Sequence, residues 1–287
     1  MLLVVGVAWA VDVTLGSGAG VVGLVIGLVV AGVASGTAYW KSDAIALRMS
    51  RAQPADPVAH ARLHNLVEGL CIAGGLPKPR VYVVDDPAPN AFATGRNPQH
   101  AAIAVTTGLL EKLNRVELEG VLAHELSHIK NYDILVSTLA VTLVGVVTLM
   151  ADFAIRALWW GGGTRGRGGR QGGGGGPAAL LALLGFVLLL LAPLLGRIMH
   201  AAVSRRRESL ADVSAASLTR YPPGLISALE KLRDDQTVVR SASRATAHLW
   251  IEEPLARHAS QRRANRLDRL FNTHPPLEER IAALREL

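Results

Sequence analysis

His124-Glu125-Leu126-Ser127-His128 lies inside residues 116–129, a stretch whose apolar periodicity predicts a helix. Residues four apart share a helix face, so His124 and His128 can offer their imidazoles to one metal ion, with Glu125 beside them as a general base. This is the pattern that metal-assisted peptide hydrolysis needs. Chance alone produces such a string in roughly one chain per hundred, so the bland alternative is a helix surface with two solvated histidines. The apolar face Leu118, Val121, Leu122, Leu126 and Ile129 lowers that alternative, because it packs the helix on a core and turns both histidines toward one cleft.

A catalytic zinc takes three protein ligands and keeps one position open. Cys71 is the one cysteine, which excludes a multi-cysteine site and any internal disulfide. The third ligand must then come from histidine or carboxylate elsewhere in the chain. Glu208-Ser209-Leu210-Ala211-Asp212 offers two carboxylates one helical turn apart. Glu208 can ligate while Asp212 accepts a hydrogen bond from a ligand histidine and so fixes its tautomer. Spacing leaves a second reading equally open, a salt bridge between Glu208 and the run Arg205-Arg206-Arg207. His60 and His64 are also four apart, but no Glu follows either, and they read as exposed helix residues.

Half of the 287 residues are hydrophobic and only 5% are aromatic, the composition of Leu-, Val- and Ala-rich membrane helices mixed with soluble segments. About four apolar spans are predicted: 1–15, 21–39, 134–158 and 180–202. No basic residues precede the first, which disfavours a cleaved signal peptide. The chain therefore divides into two N-terminal spans (1–40), a first soluble part with the histidine helix (41–133), a membrane hairpin (134–203) with a Gly-rich loop (161–177), and a C-terminal soluble part (204–287). In the first soluble part, 57–73 reads as an amphipathic helix, 80–84 as a strand, 87–93 as a Pro- and Asn-rich loop, and 101–106 as a second strand. The fold class expected is α+β, mainly α, with a small sheet. The net charge of +7 fits positive-inside loops and contact with a membrane surface, and no nucleic-acid motif accompanies it. Lys41, Arg48, Arg51 and Arg205–Arg207 at span ends place the histidine helix in the cytoplasm, outweighing the three arginines of the Gly-rich loop.

Several ordered motifs resemble the HtpX family of bacterial heat-shock membrane metalloproteases, which is related to the prenyl-protein (CAAX) proteases. They are Gly75-Leu76-Pro77-x-Pro79 before a strand, Asn90-Ala91-Phe92-Ala93, His124 to His128, Arg207-Glu208-x-x-Ala211-Asp212, and His274-Pro275-Pro276-x-x-Glu279-Arg280-Ile281. The resemblance implies a zincin-like domain inserted among the transmembrane helices of the cell's inner membrane. It implies one zinc per chain on His124, His128 and Glu208, Glu125 as catalytic base, and Asp212 behind a ligand. It further implies Asn90 as a substrate-binding residue, His274 and Arg280 at the oxyanion, and 101–106 as an edge strand that binds peptide by strand addition. The partners it implies are the lipid bilayer and polypeptides, chiefly unfolded membrane proteins. Cooperation with other membrane quality-control proteases is compatible with that role. The competing readings are a site-specific maturation protease and a silent membrane scaffold. A transporter is disfavoured, because the ionisable residues cluster at span ends.

Overall fold

The computed structural model describes residues 36, 39–41, 43–138, 205–239, 249–251 and 276–287. The N-terminal spans up to residue 35, the later spans beyond residue 138, the Gly-rich loop 161–177 and His274 lie outside the described residues. No described helix is long and apolar enough to cross a membrane. The elements below belong to the compact unit formed by 41–142 and 196–287.

Four strands form one mixed sheet: β1 (Gln53–Pro54), β2 (Arg80–Val84), β3 (Ala91–Gly95) and β4 (Ala101–Thr106). The strand order is β1-β2-β4-β3. β2 and β4 are parallel, with Val81 opposite Ile103, whereas β3 runs antiparallel to β4, with Ala91 opposite Val105. The parallel pair β2 and β4 is joined through residues 85–100, which carry β3. Helix α1 (Ala61–Gly74) comes earlier, between β1 and β2. It starts later than its periodicity suggests, because Asp56 accepts from the amides of Val58 and Ala59 and holds 57–60 as a turn. Gly75, at φ 65°, ends it in the left-handed conformation. His64 is not a solvated helix residue: it is half-buried, with Nε2 3.1 Å from the Ala55 carbonyl.

Two expectations are corrected here. The Pro- and Asn-rich stretch is a loop only as far as Asn90, since Ala91–Gly95 forms β3. Alanine is a poor strand former, so the local signal is weak. Burial of all five residues and pairing along β4 override it. β4 is accordingly central, and β3 is the edge strand of the described sheet beside the histidine helix.

Helices α2 (Thr107–Lys112) and α3 (Arg115–Lys130) follow β4, and α4 (Arg205–Thr219), α5 (Pro222–Asp234) and α6 (Leu277–Arg285) come from the C-terminal part. One sheet face, with Val81, Val83, Ala91, Ile103 and Val105, shares the main core with α1, α3 and α5. The opposite face, with Val84, Phe92, Ala102 and Ala104, packs with Ala46, Leu47, Leu249 and Trp250. Cys71 is buried in the main core, and burial pushes its thiol up to about 11, so it is inert.

α3 carries the candidate site and is fixed at both its start and its middle. Asn114 Oδ1 accepts from the amides of Val116 and Glu117, and Glu117 Oε2 accepts from the Asn114 amide at 2.8 Å, a capping box. Ser227 and Lys231 of α5 donate to the same Glu117 carboxylate, both at 2.7 Å. The two helices touch backbone to backbone. A Cβ on Gly120 would stand 2.8 Å from the Leu225 amide nitrogen, and one on Gly224 would stand 2.9 Å from the Val116 carbonyl oxygen. Gly120→Ala must therefore push α5 away. The expected loss is about 1–3 kcal/mol in urea denaturation, and a loss within error would show that the helices part freely.

Candidate active site

α3 has 11 buried residues, so its histidines sit in packed protein and not on a wet surface. His124 and His128 point to one side, with ring centroids 4.7 Å apart and nearly perpendicular. α4 brings Glu208 opposite them: His124 Nε2 lies 3.6 Å from Oε2, and His128 Nε2 lies 3.5 Å from Oε1. One ligand atom from each of these three residues lies within 4.8 Å of the others.

The outer nitrogens determine what the inner ones can do. His124 Nδ1 is 2.9 Å from Asp212 Oδ1, and His128 Nδ1 is 3.1 Å from Asp133 Oδ2. A carboxylate accepts, so each Nδ1 donates and each Nε2 is left with a lone pair. Those lone pairs lie 3.2 Å apart and face the Glu208 carboxylate. Electron-pair donors converging in this way need a positive charge between them. Without a cation a proton substitutes: burial and Arg280 push the His124 imidazolium down, but Asp212 and Glu208 outweigh them and raise it to about 9.

The wider charge balance points the same way. Among the described residues, the carboxylates of Glu125, Asp133, Glu208 and Asp212 meet the guanidiniums of Arg207 and Arg280. Even with Glu125 left out, because burial pushes its carboxyl up, three carboxylates meet two guanidiniums, a negative excess that a cation offsets. The residues present therefore fit a divalent metal of the kind bound by imidazole and carboxylate.

Glu125 is buried one residue beyond His124. Burial pushes its carboxyl up, against the pull of the two imidazoles. Arg280 of α6 donates to Asp212 through Nε at 2.8 Å and Nη2 at 2.6 Å. Its Nη2 also lies 3.3 Å from both ring nitrogens of His124, and its Nη1 donates to the Ile251 carbonyl at 3.3 Å. The structure thus brings together His124, Glu125, His128, Glu208, Asp212 and Arg280. Asn90 stands at the start of the edge strand, where its side-chain oxygen accepts from the Ala91 amide at 3.0 Å.

The profile of peptidase family M48 matches residues 57–287. The chain belongs to that family. Similar proteins include the "Protease HtpX homolog" of Caldanaerobacter subterraneus subsp. tengcongensis, 45% identical over 250 residues that cover 87% of this chain and 80% of the relative. The protein of the same name from Tropheryma whipplei (strain Twist) is 46% identical over 253 residues, again 87% of this chain and 80% of the relative. The crystal structure of S. mikatae Ste24p shares the fold at a TM-score of 0.52 with 18% identity, matching 98% of this chain. This chain spans 62% of that larger one. The HtpX resemblance of the motifs thus extends over most of the chain.

Asp133 is the residue of this M48 site that motif reasoning missed. It lies five residues after His128, beyond the end of α3, and the turn Asn131-Tyr132, with Tyr132 at φ 61°, carries it back over the ring. Arg207, beside Glu208, holds its other oxygen. The only signal in the sequence is a carboxylate just past the helix end. Asp133→Ala is expected to weaken metal binding about 10–100-fold, read by competition with a chelating dye. Unchanged affinity would remove Asp133 from the site.

Proposed function

We propose that this M48 protein is an integral-membrane zinc endopeptidase that cuts unfolded or damaged membrane proteins at a cytoplasm-facing site. The observation that carries the reading is the convergence of His124, His128 and Glu208 beside Glu125, with a carboxylate behind each histidine. The apolar stretches 21–39, 134–158 and 180–202 of the sequence support the membrane part.

His124, His128 and Glu208 would hold the zinc, which supplies Lewis acidity and makes water acidic enough to attack at neutral pH. Glu125 accepts the proton of the attacking water and returns it to the leaving amine. Its raised carboxyl suits both transfers, because a base poised nearer neutrality can also act as the acid. Asp212 and Asp133 keep both rings in the Nδ1–H tautomer. β3 offers the substrate an edge on which to lie extended, and Arg280 Nη1 offers a donor to a peptide carbonyl. His274 completes the set on the strength of the resemblance, as a donor to the oxyanion.

The substrate class is tested with zinc-loaded protein in detergent. The same membrane protein is offered folded and unfolded, alongside a prenylated peptide, with and without chelator. Many cuts in the unfolded form alone, abolished by chelator, support quality control. A single defined product, or cleavage of the prenylated peptide alone, would replace that role with site-specific maturation. Cleavage that survives chelation would sink the zinc chemistry.

A further inference from the structure

Backbone groups alternate sides along a strand. The Asn90 carbonyl accepts from Thr106 of β4, so the Ala91 carbonyl, one residue on, faces away from β4 toward the outer edge. That edge is not bare at Ala91. The Ile251 amide donates to the Ala91 carbonyl at 2.9 Å. The Ile251 carbonyl accepts from Arg280 Nη1 at 3.3 Å, and the same Nη1 lies 3.8 Å from Glu208 Oε2. A residue of this chain thus joins the edge strand to the candidate metal site by its amide on one side and its carbonyl on the other.

The neighbouring side chains hold the segment from both faces of the sheet. Ile251 enters the main core on one sheet face, while Leu249 and Trp250 pack on the opposite face, with Trp250 against Phe92 at 4.7 Å between ring centroids. The backbone there is a 3₁₀ residue followed by two bends, so the segment lies across the open edge of β3 at Ala91 and is not itself a strand. We propose that residues 249–251 cover the edge position at which a substrate would engage the Ala91 carbonyl and Arg280, and that a substrate must displace them and present an aliphatic side chain where Ile251 lies. The proposal rests on the peptidase reading above for the meaning of "substrate".

Two features suit an occupant that can leave. Among the described residues, one backbone hydrogen bond ties it to β3. Trp250 Nε1 is buried with no hydrogen-bond partner among those residues, an unmade bond that weakens its hold. An extended peptide with an aliphatic residue in register can use the same Ala91 carbonyl and the same Arg280 donor. The competition is intramolecular, so residues 249–251 compete at a high effective concentration and external peptide binds weakly until they withdraw.

The experiment uses the full chain in detergent, zinc-loaded, with Glu125→Gln introduced to prevent cleavage. A labelled peptide with the sequence of residues 247–253 (AHLWIEE) is titrated by fluorescence anisotropy. Adding Trp250→Ala and Ile251→Gly should tighten its binding at least ~10-fold. Equal affinity in a variant that retains its zinc and melting temperature overturns the proposal. As that double variant can fail to fold, hydrogen exchange is read as well on the chain carrying Glu125→Gln alone. Saturating peptide should speed exchange at 249–251 and leave Ala91–Gly95 protected, and no gain at 249–251 overturns displacement. A peptide with Asp in place of Ile should do neither, and equal potency would overturn the aliphatic preference. Displacement by peptide, combined with no hydrolysis of any polypeptide by the zinc-loaded chain with Glu125 intact, would leave the occupancy standing and remove the peptidase reading.

Discussion

Replacing Glu125 with Gln is expected to lower peptide hydrolysis by at least about 10³-fold and to leave the bound metal unchanged. Gln matches the side chain in size, and the three candidate ligand residues, His124, His128 and Glu208, are untouched. What is lost is a carboxylate that can take a proton from water and release it to an amine. Glu125 is 2% exposed, so bulk solvent cannot readily substitute for it. Casein cleavage and metal content measured on the same samples separate the two effects. Full activity in the variant would remove Glu125 from the chemistry. Loss of metal together with activity would show that Glu125 holds the ion and does not serve as the base.

The second large effect is expected at Arg280. Its guanidinium is 3% exposed and grips the buried Asp212 with two hydrogen bonds. Arg280→Ala leaves that carboxylate, and Glu208 nearby, short of a positive charge. Stranding one partner of a buried pair costs about 3–5 kcal/mol. Arg280→Lys should recover only part of this, because an ammonium cannot form the two-pronged contact.

The pH dependence follows from Asp212. Burial alone would raise its carboxyl, but Arg280 and His124 outweigh it and hold the group at about 2, below its ordinary 3.8. A depressed folded value stabilises the native state above the unfolded value, and that stabilisation disappears as pH falls through the folded one. The gap in stability between wild type and Arg280→Ala should thus be full above about pH 4 and close toward pH 2. Urea midpoints across this range measure it, and a gap independent of pH would show that packing, not charge, accounts for the loss.

How far the sequence disclosed this site depended on whether its parts are local. His124 with His128, and Glu208 with Asp212, are pairs one helical turn apart, so periodicity alone puts each pair on one face. The strand at 80–84 and the helix at 116–129 were legible for the same reason. Strand order is not a local property. The Val- and Ile-bearing run 101–106 looks like any strand, and only the pairing of β3 on its far side makes it central. Ala91–Gly95 owes its conformation to burial and not to its alanines. Asp133 depends on a backbone angle at Tyr132 that no residue type announces, and Ile251 depends on two partners far away in the chain. Arg280 was legible through family resemblance alone. Its grip on Asp212 spans 68 residues.

That separation has a consequence in time. Synthesis delivers His124 and His128 eighty residues before Glu208, and Arg280 later still. A chain still on the ribosome holds two histidines with neither the carboxylate that faces them nor the guanidinium that steadies Asp212. A fragment cut short before α6 keeps Glu208 but still lacks that guanidinium. Hydrolytic capacity therefore arrives last, after the edge strand and the histidine helix have been made, so an unfinished copy emerging among other nascent proteins is harmless to them.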